Sequence, residues 1–180
     1  MHKANLGNAP AMLDRITPLR YDCGRLCNAA CCKGDGEIWL LPGEEAFYEN
    51  RPGFTVKRYQ NDGKKDSFHV ICHENCWLSR ETRPFFCKIF PLFPLVTVDA
   101  YQRIRIQIIL DPRSRSICPL FEKSHLITPR FRRTLRLAVR ALCRDPEILA
   151  FFVEAGAFLM EMEAFRRRLS TFALSHKLSE

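Results

Sequence analysis

Residues 23–32, CGRLCNAACC, place four cysteines in ten positions, and the reading of this stretch decides what the rest of the fold must support. Cys23, Cys27 and Cys31 recur every four residues, so on a helix they would share one face. Cys32 would lie about a hundred degrees further round. A regular helix therefore cannot easily aim all four sulfurs at one point. KGDG at 33–36 breaks the element directly afterwards. The pattern predicts a short helix or two turns, then a tight glycine bend.

Working outward, residues 72–94, CHENCWLSRETRPFFCKIFPLFP, carry Cys72, Cys76 and Cys87. Pro84, Pro91 and Pro94 exclude long regular elements there. Cys118 follows in the loop sequence DPRSRSICPL. Between the two cysteine regions, residues 42–50 (PGEEAFYEN) read as a short helix with acids in its first turn. FTVKRY and SFHVIC read as a hairpin between 54 and 72, turning at NDGKKD. Ile104, Ile106 and Ile108 alternate with Arg103, Arg105 and Gln107, the pattern of a half-buried strand preceded by the strand-like LVTV. Thr128 and Pro129 then open a helix with Phe131, Leu135, Val139 and Leu142 on one face. Asp145 and Pro146 open another, with Ile148, Phe152, Ala155, Leu159, Met162 and Phe165 as its apolar face, fraying from about Ser170.

These elements predict a single α+β domain over 1–180. It has a small antiparallel sheet, cysteine-rich metal-binding loops in a core at 20–120, and a C-terminal helical hairpin at 128–169. A hydrophobic share of 47% supports a core without disulfide staples. No apolar run of signal-peptide length opens the chain, and ILAFFVEAGAFLM is too short to cross a bilayer. The expectation is a cytoplasmic protein without membrane association, in a compartment that keeps thiols reduced. There, clustered cysteines point to metal rather than disulfides. The odd total of nine would also leave one thiol unpaired. The formal charge of +8 assumes neutral cysteines. A zinc ion or a four-iron cluster on four thiolates carries about −2, which weakens the basic surplus as a sign of nucleic-acid binding.

Cys23, Cys27, Cys31, Cys32, Cys72, Cys76, Cys87 and Cys118 are the candidate metal ligands. Four soft thiolates per site suit tetrahedral zinc or an iron–sulfur cluster, and eight candidates could serve one site or two. The spacings are C-x3-C, C-x3-C and an adjacent pair, unlike zinc-ribbon knuckles or the small-ferredoxin run, so they do not choose the metal. Cys143 follows a core position in a helix and reads as an inert thiol. His73 could replace a thiolate but suits a surface role better. Arg25, Lys33, Arg80, Arg83 and Lys88 could offset thiolate charge, or be ordinary surface charge.

CGRLCNAACC, the acidic LLPGEEAFY, the pair Cys72 and Cys76, RPFFCKIFP around Cys87, and ICPL around Cys118 together resemble the zinc- or iron-chelating domain family of CxxCxxCC or YkgJ-like proteins. The likeness spans roughly residues 20–120. Its gaps in the first cluster are longer than the family name implies, which leaves the roles of Cys31 and Cys32 open. The resemblance implies a metal-chelating protein, with zinc and iron–sulfur both open. More distantly, the cysteine pattern is similar to flagellin lysine N-methylases, which makes a cluster-dependent protein-modifying enzyme such as a lysine methyltransferase the alternative. No glycine-rich nucleotide fingerprint or catalytic residue accompanies it. A zinc-dependent nucleic-acid module is a third reading, from Arg103, Arg105, Arg132, Arg133, Arg136 and Arg140; an unidentified protein partner fits any of the three.

Overall fold

The computed structural model describes residues 5–32, 36–60, 66–73 and 79–177, with side chains as far as residue 170. The β-rich sequences flanking the turn pair as expected. Strand β2 (Phe54–Tyr59) runs antiparallel to β3 (Ser67–Cys72), with Phe54 opposite Cys72 and Tyr59 opposite Ser67. Residues 61–65 of the connecting turn lie outside the described residues. A two-residue strand, β1 (Ile38–Trp39), joins the other edge of β3. Nothing in so short a segment announces a strand; it forms because β3 offers it a free edge. Helix α1 (Glu45–Tyr48) then places Tyr48 with Leu40 and Val70 in a small apolar cluster under this sheet.

One sheet was expected, and two form. β4 (Leu92–Val98) and β5 (Ile104–Leu110) make a separate antiparallel pair, with Leu92 opposite Leu110. Strand β4 begins before LVTV and contains Pro94, opposite Ile108. A sheet of two strands leaves each strand one unpaired side, where a missing N–H loses no ladder bond. The split follows from burial. Leu92, Phe93 and Val96 on β4 belong to the main core, with Phe85, Phe86 and Ile89 of helix α2 (Phe85–Ile89) and Leu13 and Leu19 of the N-terminal segment. The rings of Phe86 and Phe93 stack 5.8 Å apart, an arrangement worth more than its buried area alone.

Helix α3 (Pro129–Leu142) starts where its caps predict: Phe131 N–H donates to Thr128 Oγ1 at 3.3 Å. Asp145 caps α4 (Pro146–Lys177) by accepting from the Glu147 and Ile148 amides at 2.9 and 3.3 Å. The expected core positions from Phe131 through Leu159 are buried. Three C-terminal expectations need correction. α4 continues through Ser170 to Lys177 instead of fraying. Met162 and Phe165 are not core; they are 45% and 61% exposed, because the body of the protein ends short of them. Nor do α3 and α4 pack chiefly as a hairpin: α4 lies mainly on β4, and α3 mainly on β5 and the N-terminal turn Pro10–Leu13. Among the described residues no helix is long and apolar enough to cross a membrane.

Gly156 sets how closely α4 meets the sheet. A Cβ there would stand 2.9 Å from Leu95 Cδ1. Gly156→Val should therefore force the helix outward and destabilise the protein by about 1–3 kcal/mol, read by urea or thermal unfolding; unchanged stability would show that Leu95 moves aside freely.

Candidate functional site

The first cysteine stretch folds as two 3-10 turns, Cys23–Arg25 and Ala30–Cys32, instead of one helix. Asp22 starts the first turn by accepting from Gly24 N–H at 3.1 Å. Between the turns Asn28 and Ala29 both take positive φ, 50° and 54°, which reverses the chain. Asn tolerates this conformation, whereas Ala adopts it only when its surroundings enforce it. Here Ala29 is buried and its N–H is fixed to Gly24 O at 2.8 Å. The expected glycine bend falls on residues 33–35, outside the described residues.

The reversal brings Cys23, Cys27 and Cys31 to the wall of one cavity of about 20 Å³. Cys118 enters the same wall from the loop after β5. Its turn is held by Cys118 N–H to Ser114 O at 2.8 Å and Phe121 N–H to Cys118 O at 2.9 Å. Leu26, Phe90, Ile117, Pro119 and Leu120 supply the remaining, apolar lining. Space of this size holds about one water-sized occupant. Burial pushes the Cys23 thiol up to about 11, against the pull of the Arg80 guanidinium. Burial also raises Cys118. Cys31 is raised by its contact with Cys32, whose Sγ stands 4.0 Å away, and by burial.

A second thiol neighbourhood adjoins the first. Cys87, on α2, is raised first by burial and then by the nearby Cys32, Glu44 and Cys72. Cys31, on the cavity wall, and Cys32 thus both lie near Cys87, which also neighbours Cys72. Cys76 lies outside the described residues. Seven of the eight candidate ligands are half-buried cysteines outside any disulfide. Among the described residues, no three Cys, His, Asp or Glu side chains stand close enough together to hold a metal ion as they are placed.

Sequence reasoning missed the frame around these thiols. Glu44 is buried; its carboxyl group accepts from Leu41 N–H at 3.0 Å and Phe85 N–H at 2.7 Å, joining the α1 loop to the start of α2. Lys88, also buried, reaches Asp14 at 2.6 Å. Arg80 donates to the carbonyls of Leu13 and Lys88. Arg83 is buried beside Cys87, where its charge opposes the rise in that thiol's pKa. Arg83 and Lys88 are therefore interior and Arg80 is half-buried with its guanidinium on two backbone carbonyls, so the surface alternative does not hold for these three. Their only sequence signal was proximity to cysteine, which does not distinguish inside from outside.

Other candidates sit apart. His73 is exposed, its Nε2 2.9 Å from Thr55 Oγ1. Cys143 is buried and raised to about 11 by that burial, as befits an inert thiol. Of the arginines noted for nucleic acid, Arg105 pairs with Asp99, Arg103 lies over the Tyr101 ring and Arg132 donates to Ser124 O. Arg133, Arg136 and Arg140 remain exposed along α3. Glu37 is held down to about 2 by hydrogen bonds from Lys57 and Tyr59 on the outer sheet. Compared with family models, curated proteins and solved structures, the chain matches none.

Burial raises the Glu44 carboxyl to about 7, against its two amide donors. The folded state then binds this proton more tightly than the unfolded chain does. Its contribution to stability is fully present below the ordinary carboxyl pKa and is lost as pH rises through about 7. In metal-free protein Glu44→Gln should flatten the pH dependence of the melting temperature between pH 5 and 8. Glu44→Ala, which orphans two amides, should lose about 2–5 kcal/mol. An Ala variant as stable as the parent would remove Glu44 from the frame.

Proposed function

We propose that the protein is a metal-chelating domain that holds zinc or an iron–sulfur cluster through cysteine thiolates. The ligands are drawn from Cys23, Cys27, Cys31, Cys32, Cys72, Cys76, Cys87 and Cys118. One observation carries the reading: four thiols from segments far apart in sequence line a single ion-sized cavity. A hydrophobic fold has no packing reason to gather four sulfurs there, whereas a soft cation does.

The donor set fits the group. Thiolates suit both zinc and iron–sulfur chemistry, and the apolar lining would limit solvent access to either. Arg80 beside Cys23 and Arg83 beside Cys87 would offset the charge of the ionised sulfurs. Zinc requires its four sulfurs to close to about 2.3 Å from one point; a cluster spans thiolates that stand further apart. Either process deprotonates the ligand thiols, among them Cys23, Cys87 and Cys118, which burial favours as neutral, so metal binding and folding are linked. The motif likeness to the CxxCxxCC proteins supports the same reading, and the proposal places the protein in a reducing, cytoplasmic setting.

Protein purified anaerobically and without a tag should carry stoichiometric zinc, or iron with acid-labile sulfide and broad absorbance near 400 nm. Cys27→Ser and Cys118→Ser should lose metal and stability together, while Cys143→Ser keeps its metal. Equal metal content in all three, or none in the parent, overturns the proposal. Because metal binding displaces thiol protons, the apparent zinc affinity should climb with pH from 6 to 8, about tenfold per unit for each proton displaced. A flat profile in a competitive chelator titration would mean that the ligands are not these thiols.

A further inference from the structure

Helix α4 leaves the protein body with an apolar stripe still uncovered. Phe158, Met162, Phe165 and Leu169 follow one another at intervals of four, three and four residues. That is the a/d spacing of a helix–helix seam. All four are exposed, by 51%, 45%, 61% and 53%. At 3.6 residues per turn they fall within a narrow stripe, roughly a quarter turn from the buried face of Ile148, Phe152, Ala155 and Leu159. The body covers only the upper end of the stripe, where Phe158 meets Trp39 at 5.9 Å. Two exposed phenylalanines in line on a projecting helix require an occupant.

The charges beside the stripe say which. Glu163 is buried and grips Arg166 through two 2.7 Å hydrogen bonds and Arg167 through one of 3.0 Å. Glu161 and Arg168 are exposed, and neither makes an ion pair among the described residues. With Met162 and Leu169 as a positions, Glu161 and Arg168 are the g positions before them. In an antiparallel pair of identical helices, g faces g. Registering Met162 against Phe165, and Phe158 against Leu169, sets Glu161 of each copy opposite Arg168 of the other, twice across a two-fold axis. A parallel pair would instead point Glu161 at Arg166, which Glu163 already holds.

We propose that the exposed stripe of α4 is a self-association surface, on which a second copy of this chain docks its own α4 antiparallel through Phe158, Met162, Phe165 and Leu169, flanked by two Glu161–Arg168 pairs. The contact is isologous, so it closes at a dimer. Its small area makes a dimer of micromolar rather than nanomolar affinity.

The test is sedimentation velocity of the full chain from low to high micromolar concentration, with a thiol reductant present so that no disulfide links the copies. A reversible monomer–dimer equilibrium is expected. Phe165→Glu should abolish it. Glu161→Arg and Arg168→Glu should each weaken it at least tenfold at low salt, and the double variant should restore most of the loss. Circular dichroism and melting of each variant guard against misfolding, since all three positions are solvent-exposed in the monomer. A monomer at every concentration, larger oligomers, a dimer indifferent to Phe165→Glu, or a double variant no better than the singles would each overturn the proposal.

Discussion

One buried carboxylate holds the candidate site to the fold. Glu44 accepts the Leu41 and Phe85 amides and so welds the loop under the outer sheet to the first turn of α2. α2 has five residues, far too few to be stable alone. It exists because Phe85, Phe86 and Ile89 sink into the core and because Glu44, Arg80 and Lys88 tie its ends to neighbours. Cys87 rides on that helix. Without the clamp, the thiol would have no fixed position relative to Cys32 and Cys72.

The polar frame is unusual in being charged and interior. Lys88 and Asp14 form a buried pair that spans most of the first half of the chain in sequence. Such pairs add little net stability, since desolvation offsets their attraction, but removing one partner strands the other. Their contribution here is positional. They pin the N-terminal segment, and with it the first cysteine turns, against α2.

Local patterns were legible where one short window sufficed. The β2–β3 hairpin, the alternating β5, the Thr128 and Asp145 caps and the core face of α3 all follow from neighbouring residues. What stayed hidden depended on distance. Periodicity marked Met162 and Phe165 as apolar positions on α4 but could not say that the sheet stops before reaching them. Cysteine spacing could not place Cys31 on the cavity wall, because the chain reaches it through two left-handed residues, Asn28 and Ala29, and alanine carries no sign of that conformation. Arg80, Arg83 and Lys88 read as surface because charged residues usually are. Only the fold shows them turned inward.

The path of Cys118 has a consequence for how the protein is made. Its thiol completes the cavity wall begun by Cys23, Cys27 and Cys31, yet it lies beyond both sheets in the chain. At about 5–20 residues per second, the roughly ninety residues between Cys31 and Cys118 occupy about 5–20 s of synthesis. Throughout that interval the early thiols emerge from the ribosome without their last neighbour and without the core that shields them. They are then ordinary, accessible cysteines, open to oxidants and to adventitious metals, and their protection arrives only with the loop after β5.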